Sequence, residues 1–119
     1  MPRVILIEDD ALVRTLLMRR MIDAGWRVIP LRDGRELEGI LVQEKVDLLV
    51  VDLGLPYVDG FALVEGIRAR GIETPVLVIS AYELPHLHET AKSSGANDLL
   101  QKPFDQEELI ERMNRLLAA

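Results

Sequence analysis

Asp52 closes the apolar run Leu48 to Val51, and Glu8, Asp9 and Asp10 close an earlier one, Val4 to Ile7. A carboxylate beside so much hydrocarbon is costly unless a cation binds it or it takes part in a reaction. Ser80 and Lys102 stand in matching places, after Val76 to Ile79 and shortly after Asp98 to Leu100. Carboxylates gathered in one crevice repel: two unit charges roughly 4 Å apart at an effective dielectric of ~20 cost about 4 kcal/mol. A bound cation removes that cost. Oxygen ligands with no Cys and no neighbouring His favour a hard ion, and Mg²⁺ is the usual choice. Asp52 is then either a ligand only or also a nucleophile toward phosphorus, forming an acyl phosphate whose oxygens Lys102 and the Ser80 hydroxyl neutralise.

The elements that must position these residues alternate along the chain. Strands are predicted at Arg3 to Ile7, Arg27 to Ile29, Leu48 to Val51, Val76 to Ile79 and Asp98 to Leu100; the first, third and fourth read as buried on both faces and therefore central. Helical stripes lie between them: Val13, Leu16, Leu17 and Met21; Leu37, Ile40 and Leu41; and Leu109, Ile110, Met113, Leu116 and Leu117. Asp33 with Glu36, and Asp105 with Glu108, have the spacing of a capping box. Gly25, Gly71 and Gly95 fall where helices should stop. A helix from Leu84 to Ser93 has a thin stripe of Leu84, Leu87 and Ala91, and is expected to be the most mobile. Repeated βα units imply a doubly wound parallel sheet with five strands and five helices. With strand order 2-1-3-4-5, the acids after the first and third strands converge at the carboxyl edge, where such sheets place their sites.

The 119 residues suit one domain, 1–119, with 49% hydrophobic and 29% charged residues arguing against disorder. A formal charge of −6 argues against direct nucleic-acid binding, which relies on clustered Lys and Arg. The absence of cysteine removes disulfides and thiolate chemistry and fits the cytoplasm. No apolar run approaches the ~20 residues of a membrane span, and the start reads as a strand rather than a signal peptide. His86 and His88 read as surface residues, because their spacing does not share a helical face.

Taken together, Val4 to Asp10, Asp47 to Pro56 with Asp59-Gly60, Pro75 to Ala81, and Gly95-Ala96 followed by Lys102-Pro103-Phe104 resemble the receiver domains of two-component response regulators. The resemblance implies that Asp52 accepts a phosphoryl group from a sensor histidine kinase or a histidine phosphotransfer protein. It implies Mg²⁺ held by Asp9 and Asp52, with Glu8 acting through metal-bound water and the Gly54 carbonyl as a further ligand. Ser80 would hydrogen-bond the phosphoryl group, Lys102 would ion-pair with it, and the Lys102-Pro103 bond would be cis. The partners implied are that kinase or carrier, a downstream output domain or protein, and a second copy through the fourth helix, fifth strand and fifth helix.

Two positions depart from the pattern. Leu99 stands where the family usually has Tyr or Phe, so signalling is expected to rely on the loop after the fourth strand and the helix that follows. Tyr82, near the phosphorylation site, is expected to shield an acyl phosphate from water. Alone, Asp52 would read as a turn former and Asp10 as a helix cap; the joint pattern decides for Asp52, and Asp10 keeps its capping role. Two other functions are weighed against the receiver reading. A Mg²⁺-dependent phosphohydrolase with an aspartyl intermediate typically has a second acid two residues after the nucleophile, where this chain has Gly54. An interaction domain that has lost phosphorylation would not need the full acid, serine and lysine set.

Overall fold

The computed structural model describes residues 1–53, 58–81 and 85–119, the side chains of Val58 and Asp59 excepted. Its elements are β1 (Arg3–Ile7), α1 (Ala11–Asp23), β2 (Arg27–Leu31), α2 (Leu37–Gln43), β3 (Leu48–Leu53), α3 (Val58–Ala69), β4 (Val76–Ser80), α4 (Leu87–Ser94), β5 (Asp98–Gln101) and α5 (Gln106–Ala118). All neighbouring strands pair in parallel, in the order β2-β1-β3-β4-β5.

Burial explains that order. Every residue of β3 and β4 is buried, as is Val4 to Ile7 of β1, so these strands need cover on both faces and occupy the centre. The half-exposed β2, with Pro30 in it, lies at an edge where a missing backbone donor is tolerated. Alternate strand residues divide into two core layers. Ile5, Ile7, Leu49, Val51, Val76, Val78 and Leu99 pack against α2, α3 and α4. Val4, Leu6, Leu48, Val50, Leu77, Ile79 and Leu100 pack with Trp26 against α1 and α5. Period-two alternation thus assigns each strand-end residue to one side of the sheet or the other.

Helix ends follow local chemistry. Asp10 caps α1, accepting from Leu12 N at 2.9 Å and Val13 N at 3.0 Å. Asp105 caps α5 in the same way through Glu107 N and Glu108 N. Gly25, Gly71 and Gly95 have φ of 97°, 77° and 106°, the left-handed region expected just past a helix.

Three expectations are corrected. Asp33 does not cap α2: its Oδ1 accepts from Arg35 N at 3.0 Å in a local turn, and the helix starts only at Leu37. Gly34 lies within that turn, packed so closely under Leu63 that a Cβ there would meet its side chain. Leu16, placed on the α1 core stripe, is 51% exposed, because the buried positions Leu17 and Met21 set a narrower face. The fourth helix runs from Leu87 to Ser94, one turn later than expected, with Leu87, Ala91 and Ser94 buried; Leu84 lies outside the described residues.

Candidate active site

Three charged groups meet at the carboxyl edge because alternation points them the same way. Glu8 continues the Val4, Leu6 series, Asp52 the Leu48, Val50 series, and Lys102 follows Leu100, all on the α1 and α5 side of the sheet. Pairing of Ile7 with Val51 sets Glu8 beside Asp52 on adjacent strands. Asp52 lies within β3 rather than after it, and its side chain is only 3% exposed. Lys102 Nζ approaches Asp52 Oδ2 at 2.7 Å. No described donor makes a well-aligned hydrogen bond to that buried oxygen, and Lys102 pairs with it at hydrogen-bonding distance and as an opposite charge.

Burial is the main cause of unusual proton affinity here. The Glu8 carboxyl is pushed up to about 7, first by loss of solvent, then by the Asp52 charge and a hydrogen bond shared with it; Lys102 opposes this and Asp9 adds to it. Asp52 is also raised by burial, against the pull of Lys102 and the Glu8 hydrogen bond, with Asp9 again raising it. The two buried acids therefore favour sharing a proton over carrying two charges.

The other expected residues fall around this centre. Asp9 is exposed at the rim, and Asp10 is occupied as the α1 cap. Ser80 is completely buried at the end of β4, but it pairs with Leu53 rather than Asp52 and belongs to the opposite face. A hydroxyl placed there would reach the Asp52 carboxylate only over the strand end. The Lys102-Pro103 bond is cis. Leu99 is buried in the α2, α3 and α4 layer, and His86 and Glu89 form a solvent-exposed pair at 3.1 Å. Gly54 and Tyr82 lie outside the described residues.

Sequence reasoning missed Arg14. From the first turn of α1 it donates to the Glu8 carbonyl at 2.7 Å and lies 3.5 Å from the Asp9 carbonyl, strapping the acidic loop to the helix. The spacing from Glu8 to Arg14 was the available signal, since it puts the guanidinium back over the helix entrance.

A hard cation fits this donor set. The candidate ligands are all oxygen, Asp52 Oδ2 is buried without an aligned donor among the described residues, and burial with the Asp52 charge raises the proton affinity of Glu8 where a cation would lower it. Among the described residues no three acidic or histidine side chains close into a metal cage by themselves. An ion there would keep water or phosphate oxygens in its shell, which is how Mg²⁺ is usually held.

Fold and site together define a doubly wound α/β protein with a buried carboxylate–lysine centre at the carboxyl edge of its sheet. The chain belongs to the response regulator receiver domain family, whose model matches residues 4–114. It is 40% identical over 117 residues to the virulence transcriptional regulatory protein PhoP of Salmonella choleraesuis, covering 98% of this chain and 52% of that protein. The PhoP of Shigella flexneri is 37% identical over 115 residues, covering 97% of this chain and 52% of the relative. The chain thus spans about half the length of the curated relatives it matches. Among solved structures, the receiver domain of the Francisella response regulator 1452 has a TM-score of 0.90 at 30% identity, covering 99% of this chain and 98% of that one. Chemotaxis response regulator CheY4 of Vibrio cholerae gives 0.85 at 28% identity, covering 98% of each. The receiver role in two-component signalling follows from this membership. Phosphorylation and Mg²⁺ are general features of the family, and its members are generally not enzymes in the ordinary sense.

Proposed function

We propose that Asp52 is the phosphoacceptor of this receiver. The carrying observation is a carboxylate 3% exposed and raised in proton affinity, yet met by Lys102 at 2.7 Å and bordered by Glu8. An Asp52 oxygen supplies the electron pair for a new O–P bond while the P–N bond to a phosphohistidine breaks toward the imidazole, which takes up a proton. Asp9, Asp52 and the Gly54 carbonyl would hold Mg²⁺, Glu8 would act through its water, and the ion would neutralise phosphoryl charge. Lys102 moves from the free carboxylate to a phosphoryl oxygen, and the Ser80 hydroxyl donates to another. The same groups position water for self-dephosphorylation.

A histidine kinase or phosphotransfer protein supplies the phosphoryl group, and an output domain or protein reads it. Residues 1–119 act as one receiver unit in the cytoplasm, without binding nucleic acid directly; the −6 charge supports the last point. A second copy docks through α4, β5 and α5, where an open groove of about 420 Å³ lined by His88, Lys92 and Leu99 offers a surface.

Intact mass after incubation with Mg²⁺ and a small phosphoryl donor tests the assignment. One phosphoryl adduct on the wild type, absent from Asp52→Asn, is expected; no wild-type adduct would favour an interaction-only domain. Sustained turnover of an added phosphate ester would favour a phosphohydrolase.

A further inference from the structure

Gln101 ends β5 half-buried, with its amide Nε2 shut off from water and, among the described residues, without a hydrogen-bond acceptor. Folded proteins pair nearly all such donors, so an orphan calls for a reason. Its register supplies one. Gln101 pairs with Ser80 across β4 and β5, and Lys102 N donates to the Ser80 carbonyl at 2.8 Å, which locks the two backbones at this point. Paired residues on parallel neighbours point to the same face about 4.8 Å apart. That face holds Val78 and Leu99, both apolar. Of the β5 side chains on this side, only Gln101 can therefore exchange a hydrogen bond with Ser80.

We propose that Gln101 is a positioning residue for Ser80. The inference rests on the reading of Asp52 as phosphoacceptor. When the Ser80 hydroxyl donates its proton to a phosphoryl oxygen on Asp52, the Oγ lone pairs accept from Gln101 Nε2, and the two bonds polarise one another. The unpaired donor disfavours the free form and its pairing favours the phosphorylated form, so the residue biases the equilibrium in one direction. It gives the strand end a polar coupling that Leu99 cannot provide.

A double-mutant cycle tests this, using Gln101→Met, which keeps length without polar atoms, Ser80→Ala, and both together. The readouts are the rate of adduct formation with Mg²⁺ and a small phosphoryl donor, and thermal unfolding of the unphosphorylated protein. Gln101→Met is expected to unfold at a higher temperature than wild type, since it removes the orphan. It should nevertheless take up phosphate about five-fold more slowly, the value of one ordinary hydrogen bond. In the Ser80→Ala background the same change should have no effect on rate. An unchanged rate for Gln101→Met, or equal slowing with and without Ser80, overturns the inference. A wild type that forms no adduct overturns the Asp52 reading itself, a separate outcome.

Discussion

Glu8 keeps its proton to about pH 7 because burial and the neighbouring Asp52 charge both oppose ionisation, whereas its ordinary value is 4.5. Between those limits the folded state binds a proton that the unfolded chain has released. Stability therefore falls as pH rises through this window and levels off above it; Asp52, also shifted upward, adds in the same direction. Denaturant midpoints of the metal-free protein are expected to decline from about pH 5 to about pH 8, and Glu8→Gln to flatten the decline. A midpoint that climbs over that range would contradict the shared-proton description. A Mg²⁺ ion held by these carboxylates would compete with the same proton, so its binding is expected to tighten with rising pH across the same window. At this scale the sequence made Asp52, Glu8 and Lys102 legible, because several charges at the ends of successive apolar runs point to one edge, where each alone would pass for a turn former or a solvated side chain. It did not reveal that Ser80 faces the other side of the sheet, which depends on strand register, or that Gln101 carries an orphaned amide.

Arg68 shows what helix patterning alone leaves out. From the last turn of α3 its guanidinium donates to the carbonyls of Ile72 at 2.8 Å, Thr74 at 2.9 Å and Gly95 at 3.0 Å, and to Asn97 Oδ1 at 3.0 Å. Asn97 Oδ1 in turn accepts from Val76 N at 2.8 Å. One side chain thus ties the C-terminal end of α4 to α3 and the start of β4. Gly95 is needed twice over: its φ is 106°, and a Cβ would lie 2.7 Å from Arg68 Cγ. Gly95→Ala is expected to cost about 1–3 kcal/mol in urea unfolding, with the upper part of that range reflecting displacement of Arg68. A loss below about 0.5 kcal/mol, the spread of ordinary surface changes, would remove the anchor from the description. The α5 start was legible because the Asp105 cap forms as its spacing predicts; the α2 start was not, because the Asp33 carboxylate closes a turn on Arg35 N instead of capping the helix. The end of α4 that Arg68 fixes is the one remote from the carboxyl edge of the sheet.

Across the whole molecule, the strand order follows from how much hydrocarbon each strand must cover. Three continuously apolar runs could only be central, and the weaker β2 and β5 take the edges. Placing β1 beside β3 then brings Glu8 to Asp52, and placing β5 beside β4 brings Lys102 over the same edge, so the site is a consequence of sheet order. The central claim is that Asp52, among four acidic residues at this edge, takes the phosphoryl group. Borohydride reduction of the phosphorylated protein, followed by peptide mapping, converts an acyl phosphate on aspartate into homoserine and marks its position. Homoserine is expected at position 52 and nowhere else; a reduced residue at Glu8, Asp9 or Asp10, or none in a protein that carries the adduct, would contradict the assignment of Asp52.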